Sequence, residues 1–138
     1  MNTFYKKLSM LLLIIATGCN AQTNKEVKEV VFNAHTRGRS ESITVVNYNV
    51  FYKTQQSSKT YFINADKQKK MEEIIAKIDL SIIGDLKAPS SKRFFDGAMH
   101  TEVSIKVGNK LYTSTTFDDD NPPEALKPLV ILLKSFLK

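Results

Sequence analysis

The chain is poor in cysteine: Cys19 is the only one among 138 residues. The residues that follow it therefore cannot form a disulfide with each other, and a domain built from them must rest on hydrophobic packing. A thiol nucleophile or a thiolate metal site in the body of the chain is excluded for the same reason. Tryptophan is absent as well, which leaves eight phenylalanines and five tyrosines as the large aromatic side chains.

Long apolar runs are also missing. The most apolar stretch, Leu8–Ala16, has about nine residues, whereas a bilayer-spanning helix needs ~20. Lys6 and Lys7 precede this stretch and small residues follow it, which is the three-part pattern of a secretory signal. Residues 1–18 are therefore predicted to be a signal peptide that takes no part in the fold.

The cysteine lies directly behind this leader, in Ala16-Thr17-Gly18-Cys19. The tetrapeptide resembles the bacterial lipobox, although leucine is commoner at its first position. The resemblance implies that Cys19 is lipidated and that the protein is exported and held on a membrane of the cell envelope. The alternative is cleavage after Ala21, which would give a secreted or periplasmic soluble protein.

The residues after Cys19 divide into a tether and one domain. Residues 19–26 are the predicted lipidated tether, whose residues Asn20–Glu26 are polar except Ala21 and, fully extended, reach at most about 25 Å. Residues 27–138 are long enough for a single domain with a modest core. The whole chain carries a net charge of +6, which falls when the leader lysines are removed. Such a mildly basic balance argues against a nucleic-acid partner, as does export.

Hydrophobic periodicity predicts an α+β fold, with an antiparallel sheet of about four to five strands and two helices packed on one face, in the order β-β-(β)-α-β-β-α. Residues 43–52 fit either one long strand or a hairpin bent near Asn47. Apolar residues at helical spacing predict a helix over 66–78. Strict alternation around Gly108-Asn109 predicts a hairpin over 101–117. The acidic run from Asp118 is predicted to open the last helix, with Pro128 as an alternative start.

The candidate binding segment is 85–100, a long stretch without regular periodicity. It combines cations with aromatic side chains, and two arginines further up the chain are candidates for the same patch. The candidate binding residues are Lys87, Lys92, Arg93, Phe94, Phe95, Arg37 and Arg39. Such a surface would suit an anionic glycan, a lipid headgroup or an acidic partner loop. The alternative is that both phenylalanines fill the core while the charges stay solvated.

Catalytic and metal-binding patterns are weak. Ser90, Ser91, Asp96 and His100 are residue types that a hydrolase uses, but no nucleophile-elbow motif surrounds the serines. The acidic residues 118–120 lack the alternating spacing of a calcium loop, so helix capping is the favoured explanation. The two histidines, at positions 35 and 100, fall at predicted strand ends without further ligands. No cofactor, metal or catalytic residue is predicted.

The body from about residue 78 resembles small lipoproteins of the Bacteroidetes. The residues that carry the resemblance are Ile78-Asp79-Leu80, Leu86-Lys87-Ala88-Pro89, Lys92-Arg93, Asp96-Gly97-Ala98 and Asn121-Pro122-Pro123. The resemblance implies the same envelope location and no particular activity. We therefore expect an envelope-anchored lipoprotein, a non-enzymatic module that binds a protein or an anionic ligand. The alternatives are an immunity or inhibitor lipoprotein and, third, an envelope hydrolase.

Overall fold

The computed structural model describes residues 26–138, which form a seven-stranded antiparallel sheet with two α-helices on one face. Cys19, the leader and most of the tether lie outside the described residues. The strands are β1 (Val27–Thr36), β2 (Arg39–Val46), β3 (Asn49–Thr54), β4 (Ser58–Phe62), β5 (His100–Val107), β6 (Lys110–Thr113) and β7 (Phe117–Asp118).

The helices are α1 (Ala65–Ala76) and α2 (Lys127–Ser135), with 3-10 helices at Leu80–Asp85 and Lys92–Phe95. The sheet order is β4-β3-β2-β1-β5-β6, and β7 pairs with the start of β5. β1 is therefore central, and the first four strands form a meander from it to one edge. β5 and β6 extend the sheet on its other side.

Alternation along the strands separates a buried face from an open one. On β1 and β5, Val30 lies opposite Ile105 and Phe32 opposite Val103, and all four are fully buried. The neighbouring pairs Val31–Ser104 and Asn33–Glu102 point to the open face because side chains alternate along a strand. The buried face packs against α1 and α2, whose apolar residues join the same core.

The α+β class and the packing of both helices on one face of the sheet are confirmed, and the number of strands is slightly higher than predicted. Residues 43–52 do not form one strand: Asn47 and Tyr48, both at positive φ, make a two-residue turn between β2 and β3. The turn places Ile43 opposite Tyr52 with both side chains facing the core. The short strand β7, which pairs with the start of β5, is a further strand that the sequence did not predict.

The predicted helix over 66–78 is confirmed as α1, and the side chain of Asn64 accepts a hydrogen bond from the Lys67 amide at 3.0 Å as its N-cap. The predicted opening of the last helix by the acidic run is wrong. α2 begins at Lys127, with Pro128 in its first turn, where a proline costs no hydrogen bond. Within residues 26–138, no helix has the length and apolar character needed to span a membrane.

Candidate functional site

The site is organised around Asp118, the last residue of β7. The residue lies directly opposite His100 in the pairing of β7 with β5, and its side chain is 0% exposed. A carboxylate in such a position must be hydrogen-bonded, since burying an unpaired charge is costly. Its hydrogen-bond partners come from residues 90–93, which precede it in the sequence by 25 to 28 positions.

Four hydrogen bonds reach the Asp118 carboxylate. The Ser90 hydroxyl donates to Oδ2 at 2.6 Å and the Lys92 amide donates to the same oxygen at 2.9 Å. The Arg93 amide and the Arg93 Nη1 donate to Oδ1 at 3.1 and 3.0 Å. The two amides belong to the first turn of the 3-10 helix Lys92–Phe95, so Asp118 caps that helix from a distant part of the chain.

These contacts keep Asp118 ionised. Burial alone would raise the pKa of the carboxyl, but the hydrogen bonds from Ser90, Arg93 and the Lys92 amide outweigh it and hold the pKa at about 2. The group is therefore an anion at every pH at which the protein would normally be handled. Its negative charge is matched by Arg93, which is 7% exposed.

Arg93 joins the buried carboxylate to the surface aromatic residues. Its Nη1 also donates to the Ser90 carbonyl at 2.7 Å, which closes the turn ahead of the 3-10 helix. Its guanidinium carbon lies 4.4 Å from the centroid of the Phe94 ring, so the cation stacks on the ring face. The Arg93 Nε is buried without a hydrogen-bond partner among the described residues.

The other acidic residues of the run hold the same segment. Asp119 accepts from the Met99 amide at 2.8 Å, and Asp120 forms an ion pair with Lys92 at the surface. Asn121 donates to the Ser90 hydroxyl at 3.0 Å. The favoured explanation for the run, capping of the last helix, is therefore wrong: its carboxylates fix both ends of segment 90–99.

Phe94 and Phe95, which we call the aromatic tip, project into solvent with 63% and 84% of their surface exposed. The alternative in which both phenylalanines fill the core is therefore wrong. Its second part, that the charges stay solvated, holds for Lys87 and Lys92 but not for Arg93, which is buried. The 3-10 helix ends at Asp96, which has a left-handed backbone with φ 57°, and the Gly97 amide returns to the Lys92 carbonyl at 2.9 Å. The tip therefore lies on a short turn whose two ends are joined by a backbone hydrogen bond.

Two histidines lie beneath the tip on the open face of the sheet. His35 and His100 are direct partners on β1 and β5, and their rings stack with centroids 5.8 Å apart. The Phe94 ring meets His100 edge-on at 5.9 Å. Val27 and His35 are eight residues apart along β1, about 26 Å at the usual strand rise. The tip therefore lies at the end of the sheet opposite the start of β1.

The remaining candidate residues are only partly gathered around the tip. Arg37 is exposed in the β1–β2 turn, two residues after His35, so it lies at the same end of the sheet. Arg39 starts β2 beside Ser40, the partner of His35, and alternation turns its side chain to the opposite face. Lys87 is exposed between the two 3-10 helices.

The residues of the hydrolase alternative are not arranged for it. The Ser90 hydroxyl is occupied by Asp118 and Asn121, and within residues 26–138 no hydrogen bond joins His100 to Ser90 or Ser91. The same part of the chain holds no group of three or more histidine, aspartate or glutamate side chains suited to a metal ion. The paired histidines are brought together without a third ligand.

Sequence reasoning found the segment but missed Asp118, the residue that organises it. Nothing local marks the pairing, because Asp118 and Arg93 are separated by 25 positions. The comparisons of the chain with protein-family models, with curated proteins and with solved structures gave no match. The assignment of the site therefore depends on its geometry alone.

We expect Asp118→Asn to lower the free energy of unfolding by about 3–5 kcal/mol, because the neutral amide leaves the Arg93 guanidinium buried without a counter-charge. The matched control is Asp120→Asn, which removes a solvent-exposed partner of Lys92 and should cost less than about 1 kcal/mol. Urea denaturation at neutral pH measures both. Equal losses in the two variants would contradict a central role for Asp118.

The same ion pair predicts a loss of stability in acid. Because folding lowers the pKa of Asp118 from near 3.8 to about 2, its contribution is complete above the higher value and is lost as the pH falls through the lower one. We expect the advantage of the wild type over Asp118→Asn to shrink by on the order of 1–2 kcal/mol between about pH 5 and pH 2. Denaturation curves across that range test this, and a constant difference would refute it.

Proposed function

We propose that this protein is a small envelope-anchored lipoprotein, a non-enzymatic module that binds a partner through its aromatic tip. The observation that carries the proposal is the exposure of two adjacent phenylalanines on a turn that is held by hydrogen bonds to the buried Asp118. Contact between an apolar side chain and water is unfavourable. A rigid aromatic side chain that is buried in a partner's pocket, in contrast, contributes strongly to the affinity.

Rigidity is what distinguishes this turn from a loose loop with apolar residues. The four hydrogen bonds to Asp118, the stacking of Arg93 on Phe94 and the contact with His100 hold the tip before any partner arrives. A preorganised element loses little conformational entropy on binding, so more of its contact energy remains as affinity. The exposed Arg37 at the same end would favour a partner whose apolar pocket has an acidic rim.

The position of the tip favours a protein partner over the lipid of the anchoring membrane. The tether enters β1 at Val27 and the tip lies about 26 Å further along the strand, near His35. With a lipid on Cys19 and a tether of at most about 25 Å, the domain can stand with the tip directed away from the bilayer. A surface meant for the same membrane would be expected beside the tether.

An immunity or inhibitor lipoprotein is the second candidate, and the shape of the tip favours it. A convex, rigid pair of aromatic rings is complementary to a concave pocket such as an enzyme's substrate cleft. Tight binding to a single envelope-acting toxin or hydrolase, with loss of that enzyme's activity, would select this candidate over a general binding module.

The anchor is tested by mass spectrometry of the mature N-terminus. We expect the first residue to be Cys19 with a diacylglyceryl-type adduct, and Cys19→Ala to release the protein from the membrane fraction. An unmodified N-terminus at Gln22 would instead show cleavage after Ala21 and a soluble exported protein.

The binding role of the tip is tested by photo-crosslinking in the native host. A benzoylphenylalanine at position 95 is expected to give one discrete protein adduct in the envelope fraction. The same probe at position 62 is the matched control, since Phe62 is 79% exposed but lies on the edge strand β4. Purified wild-type domain should compete for the adduct, and the double variant Phe94→Ser, Phe95→Ser should compete on the order of thirty-fold less well.

Two results would contradict this assignment. If positions 95 and 62 gave the same adducts, or if neither gave an adduct, no protein would bind specifically at the tip. If the probe at position 95 reacted mainly with lipid, the tip would be a membrane contact and the proposed orientation would be wrong. Circular dichroism of the double variant checks that it remains folded, which is expected because neither side chain belongs to the core.

A further inference from the structure

A cleft of about 610 Å³ lies at the tether end of the domain, opposite the aromatic tip. It is bounded by the C-terminal half of α1, the residues that follow α1, the start of β1 and the adjoining parts of β5 and β6. Its volume is in the range of sites that hold a small organic molecule. None of the residues in the aromatic tip or the Asp118 cluster lines it.

The wall of the cleft is largely apolar. Ile75 and Ile78 belong to the core and are largely buried, and they are joined by side chains that stay partly exposed around the opening. These partly exposed lining residues are Val27, Leu80, Val107 and Tyr112. An apolar body that entered the cleft would remove this surface, and its own, from water.

The charge of the cleft is negative, in a chain whose net charge is +6. Glu26, Glu72 and Asp79 line it, and no lysine or arginine does so among residues 26–138. The cleft also lies at the C-terminal end of α1, where the backbone carbonyls carry partial negative charge. The last turn of α1 contains no basic residue, and Lys77, which follows as its C-cap, does not line the cleft.

Two of the three carboxylates are held in place. Asp79 accepts from the Ser81 amide at 3.0 Å and from the Ser81 hydroxyl, and these hydrogen bonds lower the pKa of Asp79. Glu72 accepts from Gln68 at 2.8 Å, one turn earlier on α1. The ring of Tyr112, which lines the cleft, already contacts a cation of the chain itself, since the Nζ of Lys110 lies 4.8 Å from its centroid.

From the apolar wall and the acidic rim, we infer that this cleft binds a small organic cation with an apolar body, such as an alkyl or aryl amine. The apolar part lies against Ile75, Leu80 and Tyr112, and the ammonium group faces Glu72 and Asp79. The inference is independent of the proposed function, because the aromatic tip takes no part in it.

The test compares three probes of equal chain length on the chain that begins at Asn20, which retains every residue that the structure describes. The probes are decylamine, decanol and decanoate, each below its aggregation concentration. At about pH 7, decylamine is expected to bind on the order of ten-fold more tightly than decanol, and decanoate on the order of ten-fold more weakly, by isothermal titration. NMR shifts should change at Ile75, Leu80 and Tyr112.

The variants separate charge from shape. Glu72→Gln should reduce the preference for decylamine over decanol to about three-fold, while Glu73→Gln, on the next residue of α1 and outside the cleft, should leave it unchanged. Ala76→Phe should fill the cleft and abolish binding of all three probes. The double variant Phe94→Ser, Phe95→Ser should bind decylamine as the wild type does, which keeps this test distinct from that of the tip.

Three outcomes would overturn the inference. Equal affinity for decylamine and decanoate would make the cleft a general apolar site without charge selection. Absence of decylamine binding to the wild type would leave no site at all. Shift changes away from the cleft residues would place the amine elsewhere on the protein.

Discussion

The interaction on which the site depends is the buried ion pair between Arg93 and Asp118. The 3-10 helix that carries the aromatic tip has only four residues, and a helix of that length is not stable by itself. Asp118 supplies the acceptor that its first two amides lack and the counter-charge that Arg93 requires. Without that carboxylate, the amides of Lys92 and Arg93 would lose their acceptor and the Arg93 guanidinium its counter-charge, and only the bonds within the turn itself, such as that from the Gly97 amide to the Lys92 carbonyl, would remain.

A buried ion pair is weak support for stability, since desolvation of the two charges offsets much of their attraction. What this pair does provide is geometry. Asp118 lies opposite His100 at the end of the sheet, so the 3-10 helix is fixed to the most regular part of the fold. Arg93 then sets the plane of the Phe94 ring by stacking on it. The position of the exposed aromatic side chains therefore depends on the buried charges of Arg93 and Asp118.

The sheet and α1 could be predicted from sequence because their determinants are local. The alternation of Val103 and Ile105 with polar residues assigns a face to β5, and Asn64 marks the start of α1. The arrangement at segment 90–99 could not be predicted in this way. Local composition suggests aromatic residues inside and charges outside, and only the distant carboxylate of Asp118 makes the reverse arrangement possible.

The central strands also determine how the two proposed sites relate to each other. β1 and β5 pair from Val27 and Val107 at one end to His35 and His100 at the other, so the cleft and the tip lie at opposite ends of one continuous pairing. Each site has its own apolar surface and its own charges: the cleft is lined by carboxylates, and the exposed Arg37 lies at the same end of the sheet as the tip. Since no described residue belongs to both, the two proposed sites can be occupied independently, and the length of β1 sets the distance between them.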